Sequence, residues 1–288
     1  MTTQEVKRKL AAILSADVKG YSRLMGENEK GTVRTLNAYK EVMRSLVGQY
    51  RGRVVDTPGD NVLAEFAREA VALDPKYAFP YAILANAHML DVWFRFSESP
   101  EKSMRLAADA VHKALALDDT DPHIHSALTG LYVMQRQHDK AIASAGRALE
   151  LGPGAARSQS TMGTALIFAC RFSEAIPFFE EAIRLDPYPP ATQFRALGGA
   201  YSAVGRYDEA LTAYKKALQL NPNDIFAHLG LAGLFVLLGR EEEARAEARE
   251  VLRIHPKFSL DHFAKTLSYK DQSIVDRRID ALRKAGLK

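Results

Sequence analysis

Two aspartates, Asp17 and Asp60, carry the clearest chemical potential in this 288-residue chain. They are 43 residues apart, so only a fold can join them. KLAAILSADV (9–18) is a nearly continuous apolar run of the kind that makes a buried strand. Between Glu27 and Tyr50, the residues Val33, Leu36, Tyr39, Met43, Leu46 and Val47 keep helical spacing. RVVDT (53–57) and VLAEF (62–66) flank PGDN (58–61) and read as a hairpin. In a strand–helix–strand–strand unit of this kind, the end of the first strand and the hairpin turn share one end. Asp17 and Asp60 then meet there.

Other chemistry finds little support. The eight histidines are scattered, with no HExxH motif and no Cys/His cluster of zinc spacing. Ser22 and Ser126 have no base-and-orienter context to make a hydrolase. The turn at Gly59 is not a phosphate-binding loop, because no GxxxxGK[ST] occurs. The single cysteine, Cys170, cannot form an internal disulfide, which fits a reducing cytosol. Net charge is +4, from 39 basic and 35 acidic residues, without the basic stripe of a nucleic-acid binder. No apolar run approaches the ~18 residues of a membrane span, and LAAIL is too short for a signal core. A cytoplasmic protein without nucleic-acid or membrane partners is expected.

The positioning elements of the larger part are periodic. RALELGP (147–153), EAIRLDP (181–187), KALQLNP (216–222) and EVLRIHP (250–256) are variants of one segment. Their anchors Leu151, Leu185, Leu220 and Ile254 are 34, 35 and 34 apart, and Leu117 lies another 34 upstream. Leu73 precedes Leu117 by 44, a repeat with about ten extra residues around DVWFRFSESPEK and the lone tryptophan, Trp93. Ala141, Ala175, Ala210 and Ala244 each stand ten before an anchor. A third column, Leu128, Met162, Leu197 and Leu231, is followed by Thr129, Gly163, Gly198 and Ala232. Bulky Tyr132, Leu166, Tyr201 and Phe235 lie three residues beyond the small ones.

This pattern resembles the tetratricopeptide repeat, a pair of antiparallel helices with a 34-residue period. Helix pairs are expected near 77–117, 122–151, 156–185, 191–220 and 225–254, with two short capping helices in 259–285. Gly198 should admit the partner helix at Ala210. Gly205 should end its helix in a left-handed position, and Pro222 should start the next unit. Cys170 occupies the turn column of Gly205 and Gly239, as a tolerated turn residue. In the second capping helix, Ile274, Ile279 and Leu282 should cover the last repeat while Arg277, Arg278 and Lys284 face water. The resemblance implies a right-handed superhelix of helix pairs, a mainly α solenoid. Its concave groove would take a protein or peptide. Candidate lining residues are Asn86, His123, Ser126, Arg157, Ser160, Thr164, Arg195, Ser202, Phe226 and Leu229. Arg157 and Arg195 should both be solvated. The lysine and asparagine set with which some relatives grip a chain-terminal carboxylate is missing, and Asn86 alone does not replace it.

The N-terminal segment resembles a different family. AAILSADVKGYSRLMGENEKGT and GRVVDTPGDNVLAEF are similar to the opening of the class III adenylate/guanylate cyclase catalytic domain, over about 60 residues. Bacterial members of that family often carry tetratricopeptide repeats after the catalytic domain, and LSYKDQSIVDRRIDALRKAGLK resembles the tails of such fusions. The resemblance implies a small ferredoxin-like α/β fragment with Asp17 and Asp60 as vestigial metal ligands for Mg²⁺ or Mn²⁺. Two close hard cations would bind a triphosphate and activate the ribose 3′-hydroxyl. Two departures argue against catalysis: Asp56 stands where the family's base-reading lysine belongs, and repeat sequence begins directly after Phe66. The strands carrying the family's transition-state asparagine and arginine do not follow. The expected organisation is a truncated cyclase-like fragment (1–66), a repeat array (67–256) and capping helices (257–288). The expected function is a non-catalytic interaction scaffold in cyclic-nucleotide-related signalling that needs no cofactor. The alternative is a cyclase component that lends a metal half-site to a full-length cyclase. In the related fold, LAAILSADV would have an unpaired edge, which implies self-association through residues 1–66 or poor order there.

Overall fold

The computed structural model describes residues 61–93, 97 and 99–288. Asp17, Asp60 and the expected strands at 9–18 and 53–57 therefore lie outside the described residues. Thirteen helices are found among those described: α1 (Asn61–Leu73), α2 (Phe79–Trp93), α3 (Pro100–Leu117), α4 (Pro122–Met134), α5 (His138–Leu151), α6 (Ala156–Phe168), α7 (Phe172–Leu185), α8 (Ala191–Ala203), α9 (Tyr207–Leu220), α10 (Ile225–Leu237), α11 (Glu241–Ile254), α12 (Leu260–Thr266) and α13 (Gln272–Lys284). Helices α2 to α11 form five antiparallel pairs, each packed on the next. The array is a mainly helical solenoid of the tetratricopeptide type.

One expected strand is corrected. VLAEF (62–66) lies within α1, which runs unbroken from Asn61 to Leu73. Ala64 and Ala67, both 3% exposed, are spaced for one helical face, and α1 packs against α2. Alternation over five residues loses to a helical face that has a partner.

The columns seen in the sequence are packing positions. Ala141, Ala175, Ala210 and Ala244 are fully buried on the second helices. The close approach at Gly198 is corrected in detail: its nearest neighbour is the Tyr214 ring at 3.1 Å from a built Cβ, not Ala210. The same ring would stand 2.3 Å from a Cβ at Gly230, so Tyr214 fills the seam between α8 and α10. Phe179 does the same against Gly163, at 2.7 Å. A bulky ring on each of these second helices thus requires a glycine on the facing first helix.

The turns inside the second to fifth pairs need a left-handed residue, found at Arg136 (φ 57°), Cys170 (φ 62°), Gly205 (φ 80°) and Gly239 (φ 71°). Only glycine adopts this conformation without steric cost. Between pairs, a further column clamps the connecting loop. Tyr81 Oη, His125 Nε2, Gln159 Nε2 and His228 Nε2 lie 3.2, 2.8, 2.9 and 3.0 Å from the carbonyl oxygen six residues earlier, at Pro75, Asp119, Pro153 and Pro222. Phe194 holds this position in the fourth pair. Asp121 and Asp224 cap α4 and α10 by accepting backbone N–H groups with their carboxylates.

The last helices do not simply extend the array. Helix α12 begins like a sixth first helix, one period after α10, but it ends at Thr266. Helix α13 then packs on α10 and α12, and on no second helix of a pair to a similar degree. First helices line the concave side of such arrays. Helix α13 therefore stands on that side.

Candidate protein-binding surface

The concave face divides into two stretches with different chemistry. On α4 and α6 it is polar and largely open. His123 is exposed; its Nδ1 lies 2.9 Å from Asp121 Oδ1, and its ring meets Phe79 edge-on at 5.4 Å. Ser126 donates to the Pro122 carbonyl at 2.9 Å, and Thr161 Oγ1 lies 3.1 Å from its oxygen. Thr164 donates to the Ser160 carbonyl at 2.8 Å, and both residues are half-buried, as is Asn86 on α2. Arg157 is exposed, and among the described residues no ion pair or hydrogen bond engages its guanidinium. Its donors are available to an acceptor from outside.

On α8 and α10 the candidate residues are committed internally. Arg195 is corrected: its Nε lies 3.2 Å from Asp224 Oδ2, and its guanidinium stacks over Phe226 at 5.1 Å. Asp224 is almost wholly buried and already caps α10, so Arg195, itself half-buried, neutralises a buried carboxylate and is not simply solvated. Phe226 is half-buried against Phe263 of α12, 6.3 Å between ring centroids. Leu229, expected to line the groove, is 1% exposed and offers nothing to a partner in this state. It belongs to one apolar cluster with Val275, Ile279 and Leu282 of α13. Ser202 is half-buried, and its carbonyl accepts the Gly205 N–H at 3.3 Å.

The segment after α12 crosses back to the second and third pairs. Arg136 donates to the carbonyls of Leu267 and Tyr269 at 3.0 and 3.3 Å. The Lys270 N–H donates to the Phe168 carbonyl at 2.8 Å, and its ammonium pairs with Asp139 at 3.2 Å. The Asp271 N–H points at the Cys170 sulfur, 3.4 Å away. Tyr269 packs on Phe168 and Phe172, at 5.3 and 6.2 Å, with Trp93 edge-on to Phe168 at 6.1 Å. The far end is closed by the Leu260 N–H donating to the Lys288 carbonyl at 2.8 Å.

Arg278, expected in water, is half-buried: it donates to the Tyr269 hydroxyl at 3.1 Å and lies over Phe263 at 5.6 Å. Ile279 and Leu282 are buried as expected, joined by Val275, while Arg277 and Lys284 are exposed. Arg136, Phe168 and Tyr269 were missed in the sequence. The signal for Arg136 was its place in the turn column of Cys170, Gly205 and Gly239, where a long cation is out of pattern.

Two titrating groups reflect this packing. Burial lowers the His138 pKa, and the nearby charges of Lys270 and Arg136 lower it further. Burial also acts to lower His228, but hydrogen bonds to Glu247 (2.5 Å) and the Pro222 carbonyl, with the charges of Glu247 and Glu250, outweigh it and raise the pKa. No group of three or more His, Cys, Asp or Glu suited to a metal occurs among the described residues. None of the described helices is long and apolar enough to cross a membrane.

Residues 201–261 match the family model of the tetratricopeptide repeat. The crystal structure of PilW, a type IV pilus biogenesis factor, shares the fold with a TM-score of 0.53 at 18% identity, covering 80% of this chain and 90% of that one. A thermophilic tetratricopeptide protein of Thermus thermophilus, TTC0263, shares it with a TM-score of 0.51 at 17% identity, covering 78% and 100%. Among curated proteins, "Putative adenylate cyclase 3" of Rhizobium meliloti (strain 1021) is 45% identical over 86 residues. That match spans 30% of this chain but only 15% of the relative's length. Human Superkiller complex protein 3 is 28% identical over 149 residues, 51% of this chain and 10% of that protein.

Proposed function

We propose that this chain is a protein-binding scaffold of the tetratricopeptide type, acting in cyclic-nucleotide-related signalling. Its partner segment lies across the concave face of α2, α4 and α6, where Asn86, His123, Ser126, Arg157, Ser160 and Thr164 stand. The observation that carries the reading is the unengaged Arg157 guanidinium amid small polar side chains, next to a stretch already filled. Such a face suits an extended or helical segment carrying a carboxylate. The test is capture of partners from the native cytosol, identified by mass spectrometry, with wild-type chain and with Arg157→Glu. Equal recovery by both would remove this face from the binding site.

The signalling context rests on the Asp17 and Asp60 motifs and on the partial likeness to a protein named as an adenylate cyclase. In this reading residues 1–66 are a non-catalytic remnant and need no cofactor. The second reading, favoured by the same likeness, makes them the metal-binding half of a composite site, holding Mg²⁺ or Mn²⁺ for a full-length cyclase partner. A homodimer would duplicate the metal half and still lack the transition-state donors, each worth about a hundred- to a thousandfold in rate. Purified chain incubated with Mn²⁺ and ATP should therefore yield no cyclic AMP by chromatography. Turnover lost in Asp60→Ala would favour the second reading instead.

A further inference from the structure

We infer that the concave face of α10 is a docking site for an amphipathic helix, held here by the chain's own α13 as a built-in competitor. The inference rests on the protein-binding reading above and adds a second site, with its own partner chemistry, on the same side of the array. Val275, Ile279 and Leu282 stand at i, i+4 and i+7, the spacing by which amphipathic helices enter apolar grooves. They are 2%, 8% and 0% exposed, while Asp276, Arg277, Asp280, Arg283 and Lys284 remain exposed on the outer side. The receiving face is apolar: Leu229 of α10 is almost wholly buried, and Phe226 and Val236 on the same side of that helix pack into the cluster that holds Val275, Ile279 and Leu282.

The tail is a single C-terminal helix, α13, with its flanking residues. Residues 267–271 join it to the array as a single connection. Its polar ties are two carbonyls held by Arg136, one backbone bond to Phe168, the Asp271 N–H toward the Cys170 sulfur, one exposed pair between Lys270 and Asp139, and the backbone bond at Leu260. A tethered helix faces its site at about millimolar effective concentration, so a partner helix must match its pattern and exceed its hold. Affinity for any such helix is reduced by the fraction of time the tail is docked. The tail thereby selects for partners with the 275/279/282 pattern and a charged outer face.

The test uses the full chain and a fluorescent synthetic peptide of residues 267–288. Wild-type chain should bind it poorly, because the site is filled. The full-length Ile279→Glu/Leu282→Glu variant, with its tail undocked, should bind the peptide with one-to-one stoichiometry and at least about tenfold more tightly. A peptide with the same two substitutions should not bind. Arg136→Ala, which frees only the carbonyls of Leu267 and Tyr269, should give a smaller gain in the same direction. No gain in either variant overturns the inference, and so does collapse of the helical circular dichroism in both, which would make the tail an integral part of the array. Partner capture sensitive to Arg157→Glu, with no peptide binding, would leave the scaffold reading standing and remove only this second site. The reverse result would do the opposite.

Discussion

The α4–α6 stretch and the α8–α10 stretch are built from the same repeat yet present opposite surfaces. On the first, Arg157 is exposed, and Ser126, Ser160 and Thr164 are half-buried small polar residues. On the second, Arg195 is drawn onto Asp224 and Phe226, and Leu229 is buried. The backbone frame is common to both, so the difference lies in side chains that either find an internal partner or do not. A repeat architecture fixes where side chains point, and the internal partners each one finds decide which of them remain available.

Substitutions can break this comparison, beginning with the seam. Gly230→Leu would drive a side chain into the Tyr214 ring, 2.3 Å from the built Cβ, and should cost about 3 kcal/mol or more by overpacking. Gly233→Ala, in the same helix but with nothing within 4 Å, should instead stabilise by about 0.5–1 kcal/mol. Thermal melts of the two variants check both signs. Leu282→Ala removes a fully buried tail side chain and should cost about 2–5 kcal/mol, with lost amide protection confined to α10, α12 and α13.

A milder loss is expected at the cap. Asp224→Ala gives up the bonds to the Phe226 and Ala227 N–H groups and strands Arg195, costing about 1–2 kcal/mol in denaturant melts. Arg195→Glu should also destabilise, by placing a second carboxylate beside Asp224, whereas Arg157→Glu should change stability by less than about 0.5 kcal/mol. If the two arginine variants melt alike, the contrast between the two stretches fails. The smallest effect concerns pH. The folded His228 pKa lies above the ordinary 6.5, so its contribution is fully present below that value and is lost as pH rises through the folded pKa. Wild-type stability should therefore fall more than that of His228→Gln between mildly acidic and mildly alkaline pH.

Much of the array was legible because repetition multiplies a weak signal. One buried alanine means little, but Ala141, Ala175, Ala210 and Ala244 at equal intervals mark a helix-packing seam. The turn glycines were legible for a similar reason, since Gly205 and Gly239 do adopt positive φ. The strand assigned to VLAEF failed because five residues cannot distinguish alternation from one helical face. Arg195 and Arg157 are indistinguishable locally, as both sit on the same expected face of a first helix. What separates them is Asp224, 29 residues beyond Arg195, which no window of local pattern connects to it.

The amino-acid sequence by itself determined the helix pairs, their 34-residue rhythm and the small-against-large packing, because each follows from short-range spacing repeated along the chain. It also contained the amphipathic pattern of Gln272–Lys284. Only the tertiary structure decided where that helix goes. Its apolar face could have covered the convex end of α11, yet it folds back onto α10, held by Arg136 and Phe168 from about a hundred residues away or more. Hydrophobic burial is non-directional and depends on area removed from water, so the pattern dictates that the helix must dock. The choice of surface belongs to the assembled array, since the α10 face and its Arg136 tether come together only once the solenoid has formed.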